Sequence, residues 1–460
     1  MLNIFKKQKQ PKKRVFNFFR WHSLNPNEAN ASEIYSLGVN TDPDLASARL
    51  RNQARSLSVN NSLTAGFFDM IASEILGEQG LTLSVSSNDS LLDKKAETAY
   101  FEWERDCCPY GVYDFEDLEE MALISYFRDG EVFVHFVRGD DGLKIEILDA
   151  SLIDSNYTND KENVKCGIQR ERNSLKPLFY YLRKEGNTIK TQLNEVIKIP
   201  ADDIIHIKKT LIPQQRRGIS RLASAIMDIN GKDKFLKAER DRARLAAEIT
   251  GFITNKADDG LPNFSLDDES INEVNNKIAT VGELSYLNSN EDIKFTDTHA
   301  PDNIVDYLKM TDREVARGLG VSYATLTGDL REVNYSSIRQ GVTSERRSFR
   351  RLQGFLRRKF HEPIFKEWLK SATIAKIFTP AEHSKILNSF SYKPQGWEYI
   401  DPTKEVNANK VSIENGFKTI SEVLREKGVE MDSFLKDLDA DKQVIKKLSE
   451  INKIRKENEN

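Results

Sequence analysis

Residues 220–255 read "SRLASAIMDINGKDKFLKAERDRARLAAEITGFITN" and carry a helical pattern whose middle, 232–244, is dense in charge of both signs. So charged a helix cannot turn a wide apolar face to one core, so part of it must stand outside the body of its own subunit. Composition then shifts. Residues 256–298 are acidic, hold Gly-Leu-Pro, and end in two candidate strands, "GELSYL" and "DIKFT". The chain returns through "PDNIVDYLKMTDREVARGLG", where Pro301 suits a helix start and Gly318 and Gly320 suit its end. The pattern predicts a helical pair with a small insertion at its far end.

On the returning helix Ile304, Leu308, Val315 and Leu319 cluster on one face. Lys309, Arg313 and Arg317 recur at i, i+4 and i+8 on nearly the opposite face. The next stretch, "VSYATLTGDLREVNYSSIRQG", is polar and has no catalytic signature. Connections of about fifteen residues are uncommon in compact domains and usually have a job or are disordered. Residues 326–336 are expected to form an exposed loop, with Leu330, Arg331, Glu332 and Val333 at or near its tip. A second long helix is expected from Asn334, with Ser337 and Gln340 spaced as a capping box. Its apolar stripe is Ile338, Val342, Phe349, Leu352, Leu356 and Phe360, and Pro363 should kink it.

The N-terminal half reads as mixed α and β. Leu45, Leu50, Leu57, Phe67, Met70, Ile71 and Ile75 recur at helical spacing, interrupted by cap chemistry at Asn60-Asn61-Ser62. "LTLSVS" reads as a strand. "AETAYFEWERDCCPYG" and "FEDLEEMALISYFRDG" read as helices closed by Gly111 and Gly130. "EVFVHFVRG" and "LKIEILDASLI" alternate and predict paired strands, with "KPLFYYLRK" and "DDIIHIKK" adding more. Residues 402–460 read as short charged helices.

Lys+Arg 68 against Asp+Glu 71 gives a formal net charge of −3. That is not the profile of a protein that clamps nucleic acid over its whole surface. The three cysteines, Cys107, Cys108 and Cys166, have no CxxC spacing and read as small buried apolar residues. No apolar run reaches the ~18 residues of a membrane span. The start, "MLNIFKKQKQPKKRVFNFFRW", lacks the apolar core of a secretory signal. It reads as a basic arm, either a solvated tail or a segment that docks on an acidic partner or on DNA. There is no phosphate-binding GxxxxGK[ST], no GxSxG and no HExxH. The six histidines are widely spread. "TSERRSFRRLQGFLRRKFH" is arginine-rich among apolar residues, and reads either as a solvated helix face or as a binding face for an acidic partner. The lack of an active site points to a structural or conduit role, with no cofactor and no metal expected.

Several stretches together resemble the lambda-type portal proteins of tailed bacteriophages, from about residue 36 to 425. They are "LRNQARSLSVNNSLTAGFFDMIASEILGEQGLTL", "FRDGEVFVHF", "LKIEILDASLID", "IPADDIIHIKK" followed by "QRRGISRLASAI", "REVARGLGVSYATLTGDLREVNYSSIRQG", and "YIDPTKEVNANKVSIENGFKTISEVLREKG". The resemblance implies an α+β, non-enzymatic subunit of a ring, usually twelve-membered, at one capsid vertex of the virion, assembled in the host cytoplasm. Residues 1–30 would be a basic arm and 31–218 the N-terminal part of a mixed α/β wing. Residues 219–255 and 299–320 would form a two-helix stem, 256–298 a small mixed-strand clip and 321–336 a tunnel loop. Residues 337–372 would be a long kinked wing helix, and 373–460 a helical C-terminal crown. The implied partners are further copies of the chain, double-stranded DNA in the channel, the large terminase, head-completion or adaptor proteins, and the major capsid and scaffold proteins, with no membrane. Leu330, Arg331, Glu332, Val333 and Asn334 would face DNA, and Lys309, Arg313 and Arg317 would either line the channel or bridge to the neighbouring subunit. The competing readings are a packaging-associated, metal-dependent nuclease and a monomeric head–tail adaptor.

Overall fold

The computed structural model describes residues 43–139, 142–183, 196–248, 252–255, 291–294, 303–331, 335–397 and 401–426, with isolated positions as far as 446. The N-terminal arm, the strand expected at "GELSYL", and the tip residues Glu332, Val333 and Asn334 lie outside these. The chain divides into two compact units. One comprises Met1–Met227 with Arg313–Asn460, and the other Asp228–Asp312.

In the first unit, α1 (Pro43–Asn60) and α2 (Ser62–Leu76) are separated at Asn61, whose side chain caps α2 by accepting from the Thr64 N–H. Leu50, Leu57, Phe67, Ile71 and Ile75 are buried, as their spacing requires. Strand β1 (Thr82–Val85) leads to α3 (Ser90–Glu104) and α4 (Phe115–Arg128). Helix α3 ends at Arg105 and not at Gly111, although Gly111 is left-handed with φ 63°. The intervening Cys107 and Cys108 are buried, so the chain leaves the helix to pack these thiols. Helix α4 does stop at Asp129, followed by left-handed Gly130 with φ 84°.

Strands β2 (Glu131–Gly139) and β3 (Gly142–Leu148) pair antiparallel. A second small sheet holds β4 (Val164–Lys165), β5 (Ile168–Arg170), β6 (Pro177–Arg183) and β7 (Val196–Pro200), in that order. Strand β8 (Ile204–Lys208) returns to pair with β2, giving the order β3-β2-β8. Phe133, Ile153, Ile168, Tyr180 and Ile204 form a core shared by these two sheets.

Helix α5 (Ile226–Glu248) follows, then strands β9 (Phe252–Asn255) and β10 (Glu291–Lys294), then α6 (Ile304–Leu319). The helical reading to Asn255 is therefore corrected. The helix ends at Glu248, and the β-branched, aromatic run at 252–255 pairs antiparallel with β10. Within the second unit Lys232 bonds Asp312, and the rings of Phe235 and Tyr307 lie 4.9 Å apart. Rising numbers on α5 meet falling numbers on α6, so this is an antiparallel helical pair. No described side chain from 230 to 244 is buried.

The remainder belongs to the first unit: α7 (Tyr323–Thr327), α8 (Tyr335–Leu356), α9 (Glu362–Ile374), α10 (Pro380–Leu387), β11 (Phe390–Lys393), α11 (Pro402–Glu414) and α12 (Ile420–Glu426). Between α8 and α9 residues Arg357–His361 form a π-helical turn, with the Glu362 N–H donating to the Arg357 carbonyl. Pro363 supplies the reason. It has no N–H for the Lys359 carbonyl and its ring would strike that carbonyl, so the helix widens by one residue just before it. Strand β11 pairs with β1 over a sequence gap of about 300 residues, and the Tyr392 hydroxyl donates to that of Tyr100 at 3.0 Å. Tyr100 also meets the rings of Trp103, Phe115, Phe365 and Trp368, joining α3 and the start of α4 to α9 in one aromatic core.

Candidate functional site

The connection between α6 and α8 is more ordered than its composition suggests. Helix α6 closes at left-handed Gly320, φ 86°. The Val321 N–H donates to the Ala316 carbonyl at 3.0 Å and the Gly320 N–H to that of Arg317 at 3.3 Å, the paired bonds of a Schellman cap. Ser322 then caps α7 by accepting from the Thr325 N–H, and Gly328, φ 69°, ends it. Leu326 is buried beneath this short helix. Residues 323–328 are thus a corner and not part of an exposed loop, and the loop expected over 326–336 is shorter at its N-terminal side.

Glu345 of α8 fixes that corner. Its carboxylate accepts from the Ser322 N–H and, at 2.8 Å, from the Thr325 hydroxyl. Glu345 is itself buried. Ser337, expected to cap α8 with Gln340, lies inside the first turn of the helix and not at the non-helical position of a cap residue.

Leu330 is 59% exposed. The Arg331 side chain is 84% exposed and its Nε donates to the Asp329 carboxylate at 2.9 Å. That bond holds the Asp329 carboxyl well below the usual range. Asp329, two residues back, thus faces the Arg331 guanidinium. Arg313 and Arg317 are exposed on α6 and Lys309 is half-buried, while Val315 and Leu319 are buried. The Arg313 guanidinium lies 5.5 Å from the centre of the Tyr323 ring. Arg313 is thereby tied to the α7 corner.

A second constellation escaped sequence reasoning. Arg217 and Glu131 are completely buried, and Arg217 Nε donates to Glu131 Oε1 at 2.8 Å. The remaining guanidinium protons reach the carbonyls of Ala150, Ile153 and Cys166 and the Ser155 hydroxyl. Glu131 Oε2 accepts from the Gly218 N–H at 2.7 Å and bonds His206 Nε2 at 3.1 Å. Burial alone would raise the Glu131 carboxyl, but Arg217 and His206 more than offset this and hold it below the usual range. Burial lowers His206 to about 4, against the pull of Glu131. His206 is therefore neutral at pH 7 and its Nε2–H donates to the carboxylate. Asp44 of α1 accepts from the Arg216 and Arg217 N–H groups. Together these bonds clamp residues 215–221, which lead into α5, onto the paired sheets. The local signal was a glutamate and a histidine in the apolar strands "EVFVHF" and "IIHIK", beside the arginine pair of "QRRG".

Among the described residues no group of three or more His, Cys, Asp or Glu side chains is placed to hold a metal ion. No described helix is long and apolar enough to cross a membrane.

A curated relative, a probable portal protein of Halomonas phage phiHAP-1, is 24% identical over 420 residues, covering 87% of this chain and 81% of its own. Among solved structures, the neck of an empty gene transfer agent particle is 16% identical with a TM-score of 0.46, covering 84% of this chain and 93% of the other. An HK97 family phage portal protein from Corynebacterium diphtheriae is 11% identical with a TM-score of 0.38, covering 74% and 95% respectively. Residues 27–353 match the family described as phage portal protein, lambda family, and the chain belongs to that family.

Proposed function

We propose that the protein works as a portal subunit: copies of it form a ring at one vertex of a capsid, and double-stranded DNA passes through the central channel during packaging and ejection. The observation that carries this reading is the helical pair of the second unit. From 230 to 244 no described side chain on α5 is buried, and on α6 Val305 is 62% and Met310 53% exposed. Apolar side chains of this size on a narrow helical pair ask for a neighbour, and further copies of the same chain supply one. The role is structural and not catalytic. The insertion at the far end of the pair is the docking platform for the terminase and later for head-completion proteins. In this reading the short, exposed segment at Leu330 and Arg331 faces the channel.

The chain's charge suits a conduit. Duplex DNA carries one negative charge per roughly 1.7 Å, so a strongly basic tube would hold it fast. A subunit of formal charge −3 does not. The test is the native mass of the purified protein together with an image along its symmetry axis. A closed ring of about twelve copies with a duplex-wide channel is expected. A protein that stays monomeric at micromolar concentration in every assembly condition would remove the reading.

A further inference from the structure

The arginine-rich stretch of α8 and the π-helical turn, open in sequence between a solvated face and a surface for an acidic partner, lines a cavity in the first unit. The cavity holds about 530 Å³ and is bordered by Lys208, Lys209, Arg221, Arg351 and Lys359, with no aspartate or glutamate in its wall. Tyr126, Leu352 and Phe355 supply apolar surface. Lys208 spends its ammonium on the carbonyls of Gln215 and Arg216. Arg221 lies 5.2 Å from the centre of the Phe127 ring. Among the described residues none of Lys209, Arg221, Arg351 and Lys359 pairs with a carboxylate. Burial, then the charges of Arg221 and Arg351, push the Lys209 ammonium down. In a chain of slight negative charge, such a concentration of unneutralised cations around one concavity calls for an anionic, partly apolar occupant.

The same unit presents a surface of the complementary kind. Residues 110–117 expose Tyr110 at 70%, Val112 at 66% and Tyr113 at 45%, followed by exposed Asp114, Glu116 and Asp117. Burial, then the charges of Asp114, Glu119 and Asp117, raise the Glu116 carboxyl. Exposed tyrosines rimmed by charge have the composition of an interface and not of ordinary surface. This segment starts α4, and Tyr126 of the cavity lies near the end of the same helix. Eleven residues at 1.5 Å each put Phe115, at the start of α4, roughly 16 Å from Tyr126 along the helix, so the segment lies away from that wall of its own subunit's cavity.

We infer that the cavity is the receiving half of a head-to-tail contact between two copies of the chain, and that its occupant is residues 110–117 of the next copy. A contact between two different patches is heterologous, the kind that generates a ring when its rotation closes. The inference rests on the ring reading above and names the surfaces that build the ring. The tyrosines and Val112 fill the apolar part of the cavity, and Glu116 meets Arg351 and Lys359 at its mouth.

The test uses the full chain, with assembly followed by native mass spectrometry and folding by circular dichroism. Arg351→Glu, Lys359→Glu and Glu116→Arg, each folded, are expected to raise the concentration for half-assembly at least about tenfold. Combining Arg351→Glu with Glu116→Arg restores assembly. Tyr113→Ser weakens it without changing its salt dependence. Wild-type assembly by the Arg351→Glu and Lys359→Glu variants overturns the inference and leaves the ring reading standing. So does a loss of DNA binding without a loss of assembly, which would make phosphate the occupant. Failure of the charge swap to rescue overturns the assignment of residues 110–117. If the unmodified chain makes no ring, both the inference and the ring reading fall.

Discussion

Arg217 and Glu131 make a fully buried ion pair, 2.6 Å between Nη2 and Oε1, across 86 positions of sequence. The guanidinium also satisfies three backbone carbonyls that would otherwise be buried without donors. Glu131→Ala leaves the Arg217 guanidinium buried without its carboxylate, and Arg217→Ala leaves Glu131 with only the longer 3.5 Å contact to Arg51 and the bonds from His206 and Gly218; each costs roughly 3–5 kcal/mol. That is a large share of a domain's stability. Arg217→Lys should be nearly as damaging, because one ammonium cannot replace a five-donor fork. Urea unfolding at fixed protein concentration measures this. A loss under about 1 kcal/mol would show that the pair is solvated.

His206 gives the same region a pH dependence. Its ordinary value of 6.5 falls to about 4 in the fold. As pH drops through 6.5 the unfolded chain takes up a proton that the folded chain refuses until about 4, so stability decreases over that window and levels off below it. Glu131 adds to the loss at lower pH, because its carboxyl is held below the usual range and its contribution disappears as it protonates. A decrease on the order of 2 kcal/mol between pH 6.5 and 4.5 is expected from a buried imidazole. The slope should flatten in His206→Gln. An equal slope in that variant would assign the effect to other groups.

Some of this was legible in sequence and some was not, for physical reasons. The break at Asn61, the β2–β3 pairing and the stop at Gly130 were legible because each is decided within a few residues by a cap, an alternation or a left-handed turn. Pairing of β1 with β11 and of Glu131 with Arg217 depends on residues far apart, and nothing local announces it. Helix α7 was hidden because it has only five residues and is held by two hydrogen bonds to Glu345, some twenty residues further on in α8. Of the site, the amphipathic placing of Arg313 and Arg317 was legible, while the basic cavity was not, since it draws on β8, the segment before α5, α4 and α8.

Glu345 offers a way to loosen that corner alone. Glu345→Ala removes the acceptor of the Ser322 N–H and the Thr325 hydroxyl. A buried donor left unpaired costs about 1–3 kcal/mol, spent here on local opening. Faster amide exchange is expected at 322–331, with protection of β2 and α4 unchanged. Glu345→Gln should retain most of the protection. Unchanged exchange in the alanine variant would mean that Leu326, and not Glu345, holds the corner.

Arg331 is where a conduit would touch its cargo. Its side chain is 84% exposed and rests against Asp329, so an anion passing nearby competes with a carboxylate already in place. That competition suits brief contact and opposes capture. A surface pair of this kind adds little to stability, and its reach is limited to a Debye length of about 10 Å at 0.1 M salt. Arg331→Ala should therefore leave ring assembly and thermal stability unchanged while altering the length of DNA packaged or retained. Asp329→Asn should act oppositely, by releasing the guanidinium from its carboxylate and slowing passage. Both effects should shrink as ionic strength rises, because a phosphate contact releases counterions. The measurement is the length of protected genome in particles assembled with each variant, taken at two salt concentrations. Glu332→Ala belongs in the same series, since its loss would leave Asp329 as the only nearby carboxylate in this stretch of sequence. Normal packaging and retention in all three variants would remove this segment from the channel wall and return it to an ordinary connector between α7 and α8.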